Sequence, residues 1–381
     1  DRECICRSSW GQFMITRYAA MNLLWCVPGV GGSEEYLLRQ LDGLALITHN
    51  YQVDVFAPRG FCERHPRIAA AFTVYEAPSS CMRRAERIFL EHTWLAWRTR
   101  EYQVVHHGGG SIPRFGNKHT LVTIHDVQWI DYPHYVAPVK LKYLNKMVPS
   151  SLQRAVRIAV PSRFVAGTLV RAFGIAPKKI SVVRHGLEKA FDGETTSSDA
   201  LRREFGLGSG PVLVYPAITH PHKNHAFLMH LMAHGEGRWG DPALRLICMG
   251  SKGSAHDEVL QLIDTLGLRD RVVMAGRVSN ADRNGLLAMA EAMVFPSEYE
   301  GFGAPAIEAM RCGTPVVCSD RGSLPEVVGD AGLVCPLDDD AWVRALEAVK
   351  IRREELVTAG KDRARAFTSE ISATELVEQY D

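Results

Sequence analysis

The sequence predicts an α/β protein built from two doubly wound, Rossmann-like domains. Three observations lead there. Short apolar runs alternate with helical stretches, which is the pattern of parallel βαβ units rather than of hairpins. The runs fall in two series, separated by the polar, turn-rich segment 192–199. At 381 residues, the chain also exceeds what one hydrophobic core usually serves.

In chain order, residues 1–20 mix charge, Cys and Trp without a period and lack the apolar centre of a signal peptide. They are expected to be a dispensable N-terminal extension. The first strand is expected over 23–27, followed by the turn Gly29-Val-Gly-Gly and a helix over 34–46. Strands over 51–57, 104–105, 120–124, 157–160 and 180–183 complete a first domain, 21–190. Strands over 212–215, 244–249, 272–275, 292–295 and 316–318 make a second, 191–366. A last helical segment covers 367–381.

Composition narrows the function. Hydrophobic residues are 46% and charged residues 23%, as in ordinary soluble domains. The net charge of +1 gives no reason to expect nucleic acid as a partner. Nine cysteines occur without a C-x-x-C pair, so neither a disulfide scaffold nor a zinc site is indicated, and a cytoplasmic setting is expected. No run of about eighteen apolar residues suggests a membrane span.

The chemistry concentrates in Ser297-Glu-Tyr-Glu-Gly-Phe-Gly-Ala-Pro-Ala-Ile-Glu. A strand ends near Phe295, the chain turns through Gly301, Phe302 and Gly303, and a helix starts at about Pro305. Proline fits a first helical turn, where its missing N–H has no intrahelical partner anyway. Amides near Gly303 and Ala304 then offer a phosphate site. Glu300 and Glu308 bracket it, and carboxylates accept paired sugar hydroxyls well. Together these residues read as a sugar-nucleotide site.

Lys223, followed by Asn224, sits in a βα loop of the second domain, where a point charge can neutralise a departing diphosphate. Gly29-Val-Gly-Gly, with Gly31 and Gly32, lacks the third glycine of a dinucleotide fingerprint, because Glu34 stands there. His106-His-Gly-Gly-Gly and Thr123-Ile-His-Asp each follow a first-domain strand, so His107, His125 and Asp126 are candidates on the acceptor side. The histidines at 220, 222 and 225 follow no zinc spacing. Asp338-Asp-Asp is better explained as a helix cap than as a manganese motif. No metal and no cofactor are therefore expected. The basic stretch 82–100 with Trp94 and Trp97 reads as an internal helix, with peripheral membrane contact as the other reading.

Glu300 and Glu308 within S-x-x-E-G-F-G-x-P-x-x-E-A-M-x-x-G-x-P-V-V resemble the E-x7-E signature of the retaining GT-B glycosyltransferases of family four. The resemblance implies two domains facing across a cleft, a last helix crossing back to the first domain, and a nucleotide-sugar donor. It also implies that Glu308 binds ribose, Glu300 the transferred sugar, and Lys223 with the Gly303–Ala304 amides the diphosphate. Arg277, Val278, Gly31 and Gly32 join the donor-binding set. One departure stands out. The family's G-R-x-x-x-x-K-N segment carries an arginine, but Ala217 or Ile218 occupies its place here, leaving His220, His222 or Arg277 to supply the charge. The overall pattern is closest to bacterial mannosyltransferases of polysaccharide assembly, with GDP-mannose as donor and a saccharide or lipid-linked acceptor. A sugar-nucleotide epimerase of the same fold and a non-catalytic binding module are the rival readings.

Overall fold

A computed structural model describes residues 17–28, 31–187, 191 and 193–381. The chain forms two compact units. One runs to Gly186 and includes Thr368–Asp381, and the other is Leu187–Phe367.

Among the described residues, the first unit holds seven parallel strands: β1 (Arg17–Asn22), β2 (Tyr51–Ala57), β3 (Thr73–Glu76), β4 (Val104–His107), β5 (Thr120–Thr123), β6 (Arg157–Val160) and β7 (Ile180–Val182). Their order is β3-β2-β1-β4-β5-β6-β7. The second unit holds β8 (Val212–Pro216), β9 (Arg245–Met249), β10 (Val272–Gly276), β11 (Ala292–Phe295), β12 (Val316–Ser319) and β13 (Leu333–Cys335), also parallel. Their order is β10-β9-β8-β11-β12-β13. In both sheets the strand order therefore reverses at one point, between β1 and β4 and between β8 and β11. Ligands of such sheets bind beyond the strand ends at that point. The uninterrupted apolar runs of β8, β11 and β12 follow from burial on both faces.

Two expectations need correction. The first strand is Arg17–Asn22, and residues 23–27 form a turn, with Cys26 N donating to Leu23 O at 2.9 Å. The apolarity of 23–27 reflects a buried turn: Leu23, Leu24 and Cys26 are fully covered. Residues 17–20 are consequently not dispensable, because β1 is an interior strand of the sheet, between β2 and β4. Ala19 and Met21 join one core cluster and Ala20 another, so small side chains admit packing on both faces. Residues 1–16 of the expected extension lie outside the described residues. The expected helix over 34–46 is Gly32–Leu44.

Strands β3 and β13 lie at or near sheet edges and are only partly covered, so their apolar period is faint. The basic stretch splits its aromatics. Trp94 packs on Phe56 with ring centroids 5.7 Å apart, whereas Trp97 is exposed. The helix Ser369–Val377 packs on Gly32–Leu44 in the first unit, and Ala373, Leu376 and Tyr380 enter that core. Tyr51 Oη donates to Tyr380 O at 2.7 Å. Among the described residues, no helix is long and apolar enough to cross a membrane.

His106 and His107 are buried at the end of β4. The His106 ring contacts Thr123 Oγ1 at 2.7 Å and Tyr380 Oη at 3.3 Å, while His107 Nδ1 contacts Asn22 Nδ2 at 3.2 Å. Burial pushes both imidazoles down to about 3. Below the ordinary histidine value the unfolded chain binds protons that the folded chain refuses, so stability falls as pH drops beneath about 6.5. Each ring contributes a slope on the order of 1.4 kcal/mol per pH unit. Melting temperatures should fall steadily from pH 6.5 toward 4, and less steeply in a His107→Asn variant. Equal slopes in the two proteins would remove His107 from this account.

Candidate active site

In the second unit, β8 and β11 are neighbours although far apart in sequence, and their following loops meet. After β8 the chain makes one turn of 3-10 helix, Pro221–Lys223, and Asn224 takes a left-handed conformation (φ 54°) that starts the helix His225–His234. Asparagine tolerates that conformation better than most residues, which accounts for the Lys-Asn pair. Tyr215 Oη donates to Lys223 O at 2.5 Å, and Glu298 N donates to His222 O at 2.8 Å, tying the two loops together.

Lys223 Nζ then lies 2.6 Å from Glu300 Oε1, with both side chains largely covered, 19% and 11% exposed. The Glu300 carbonyl accepts from Ser323 N at 3.1 Å and Ser323 Oγ at 3.0 Å. A Cβ at Gly322 would sit 2.6 Å from the Glu300 backbone N and O, so only glycine lets this loop support Glu300 so closely. Tyr215, Gly322 and Ser323 are thus positioning residues that the motif reading missed. The Arg-Gly-Ser run after β12 was their visible signal.

Gly303 (φ 91°) caps the helix Ala304–Arg311, with Pro305 in its first turn. The first amides of a helix have no intrahelical acceptor. Glu308, one turn in, is 8% exposed, and Phe302 is buried. Arg277 and Val278 follow β10, two strands from β8, about 10 Å away by sheet spacing. Arg277 is exposed. Burial and the adjacent Lys223 push His222 down to about 3, so it stays neutral near pH 7 and supplies no charge for the missing arginine. His225 is buried against Tyr215, with ring centroids 4.6 Å apart, and burial pushes it to about 4. Asp338 caps the helix Asp339–Ala364, its Oδ1 accepting from Ala341 N at 2.9 Å. Ser162 likewise caps Arg163–Phe173.

The first unit has its own cavity of about 460 Å3, where the loops after β1, β4 and β5 converge. Gly109, Gly110, His125, Asp126 and Ser33 line it, and Ser33 follows Gly31 and Gly32 at the start of the helix Gly32–Leu44. Gly29 and Val30 lie outside the described residues. A Cβ at Gly109 would meet the Trp25 ring at 2.7 Å, so the triple glycine lets Trp25 form the cavity wall. His125 Nε2 donates to Gly108 O at 2.9 Å, and Nδ1 has no partner. That tautomer leaves Nδ1 as an acceptor. Burial lowers its pKa below the usual histidine value. Asp126 is exposed, and its Oδ1 accepts from Gln128 N at 3.1 Å. His107, 4% exposed, does not line the cavity.

Two doubly wound sheets, each with polar loops gathered at the reversal of strand order, are the architecture of Rossmann-type ligand-binding proteins. Residues 197–365 match the family model for glycosyl transferases group 1, and residues 30–191 that for glycosyltransferase family 4. The chain is 30% identical over 307 residues to O-antigen chain mannosyltransferase B of Escherichia coli, a match spanning 75% of this chain and 76% of that protein. It is 29% identical over 258 residues to O-antigen chain mannosyltransferase RfbU of Salmonella typhimurium, spanning 62% and 66%. In fold it is similar to Anabaena Alr3699/HepE in complex with UDP and glucose, with TM-score 0.69, 18% identity, and coverage of 95% of this chain and 98% of that one. The chain belongs to the family-four glycosyltransferases and has the GT-B type of fold.

Proposed function

We propose that this glycosyltransferase moves mannose from GDP-mannose to a saccharide or lipid-linked acceptor, with retention at the anomeric carbon and without a metal. The single observation that carries the reading is Lys223 Nζ at 2.6 Å from Glu300 Oε1, beside the helix start at Gly303–Ala304. Cation, carboxylate and helix amides are the groups that a sugar diphosphate needs. The mannosyltransferase names of the relatives support the choice of sugar.

In this reading the paired Lys223 and Glu300 hold each other until donor arrives. Lys223 then turns to the diphosphate, joined by the Gly303–Ala304 amides and the Gly301–Phe302 turn, and Glu300 accepts hydroxyls of the transferred sugar. Glu308 accepts the two ribose hydroxyls. Arg277 and Val278 extend the donor-binding set, as do Gly31 and Gly32. The bond from the anomeric carbon to the diphosphate oxygen breaks while the acceptor oxygen bonds to the same face. The acceptor's proton passes to the departing diphosphate oxygen, so no side chain needs to act as a covalent nucleophile. His125 Nδ1 accepts a sugar or acceptor hydroxyl, with His107 and Asp126 supporting that side. Work at the cytoplasmic face of a membrane, with peripheral contact, would suit a lipid-linked acceptor.

Thermal-shift screening with GDP, UDP and ADP sugars tests the donor, because a ligand stabilises in proportion to its saturation. GDP-mannose should give the largest shift. A larger shift with a UDP or ADP sugar would overturn that assignment. Glu308→Gln should keep the fold and weaken nucleotide affinity about tenfold, since an amide accepts two hydroxyls less well than a carboxylate. Glu300→Gln should chiefly lower turnover. Wild-type affinity and rate in both would remove them from the site. Chelator should leave transfer unchanged. Loss with EDTA and recovery with manganese would contradict the metal-free mechanism.

A further inference from the structure

Resting on the glycosyltransferase reading above, we propose that the first unit's cavity selects an anionic acceptor, whose phosphate or diphosphate group is held by Arg84, Arg87 and Lys140. The cavity's size, about 460 Å3, is that of small-molecule sites. Its lining carries these three cations against one carboxylate, Asp126, which already accepts a backbone amide.

Arg87 is the innermost of the three. Its side chain is 20% exposed, its Nε has no hydrogen-bond partner, and its nearest carboxylate, Glu91, is 4.0 Å away. Burial pushes the Glu91 carboxyl up, toward its neutral form, so it offsets less of the Arg87 charge. Arg84 lies over the Tyr143 ring at 5.4 Å, which fixes the direction of its guanidinium while leaving the side chain exposed. Lys140, exposed in the helix Pro138–Arg154, adds the third charge.

The wall is also rich in donors. Trp25 and Trp129 both line the cavity, and neither indole N–H has a partner. Indole, guanidinium and ammonium groups can only donate. A neutral sugar can accept from these donors but brings no negative charge to offset the three cations. A phosphate brings acceptor oxygens and negative charge, matching both features, and charge-assisted bonds of this kind are the stronger ones. Ile124, Leu144 and Val148 supply an apolar side to the same cavity. A lipid diphosphate and a free sugar phosphate share the required chemistry.

Calorimetry on the full chain separates them. The chain is first saturated with whichever nucleoside diphosphate stabilises it, so that the donor's phosphate contacts are occupied. It is then titrated with farnesyl diphosphate, glucose 1-phosphate and farnesol. At least one phosphate should bind, and farnesol should not. The tighter phosphate identifies the source as lipid-linked or free. Arg84→Gln with Arg87→Gln should cut that affinity about tenfold or more, as should Lys140→Gln, with nucleotide affinity and melting temperature unchanged. Undiminished phosphate binding in these variants would overturn the proposal. So would equal binding of farnesol, or loss of nucleotide affinity instead, which would assign the cations to the donor. A wild-type chain that binds the phosphate probe but no nucleoside diphosphate would leave the cavity assignment standing and sink the donor reading.

Discussion

Replacing Lys223 with alanine is expected to slow turnover at saturating donor by about a hundredfold or more, the usual scale for removing one electrostatic stabiliser of a developing charge. The lysine is held at both ends. Its carbonyl accepts from Tyr215 Oη, and its ammonium lies 2.6 Å from Glu300. A loss confined to the Michaelis constant would mean ground-state binding only. A second outcome has to be separated as well, since removing the lysine also strips the charge partner from Glu300, itself 9% exposed. Glu300→Gln supplies the control. If Lys223 served only to neutralise Glu300, its removal in the Glu300→Gln background would cost nothing further. A further large loss in that background is the expected result.

The second large effect concerns His125. Its alanine variant should lower transfer by about a hundredfold or more, the lower end of what a positioned proton acceptor or hydroxyl partner contributes. Affinity for the free nucleotide should remain near wild type, because the proposed nucleotide contacts, Lys223 and Glu308, belong to the other unit. The histidine is already oriented. Nε2–H is spent on Gly108 O, and the rings of Tyr36 and Trp25 stand 5.3 and 5.8 Å away. Burial lowers its pKa, so the neutral form, with Nδ1 free to accept, persists below pH 6.5. The transfer rate of the wild type should therefore show no inflection near the ordinary histidine value. A variant that transfers normally would make His125 structural, and an inflection near 6.5 would mean that its ring is solvated in the working enzyme.

Much of this was legible in the sequence because it is encoded locally. The strands Tyr51–Ala57, Arg157–Val160 and Ala292–Phe295 fall where their apolar runs stand, since strands covered on both faces can be read without knowing their neighbours. The turn at Gly303 and the helix behind it were equally visible, because glycine and proline constrain the backbone at their own positions. Glu300 and Glu308 keep the spacing that the sequence shows, one in the loop before the helix Ala304–Arg311 and the other within it.

What tertiary structure alone decided is what depends on neighbours distant in the chain. Ala19 and Ala20 give no strand signal of their own, and only helices packed on both faces make Arg17–Asn22 an interior strand of a sheet. Lys223 and Glu300 are 77 residues apart, and no spacing rule joins them. The adjacency of β8 and β11 brings their loops together, and Gly322 and Ser323 hold the Glu300 backbone there. Likewise the cations at 84, 87 and 140 share one cavity wall only because the strand order carries their loops and helices to the same side. Residue type determined what each group can donate, accept or charge. Strand order determined which of them meet, since contacts between segments far apart in the chain leave no period in either.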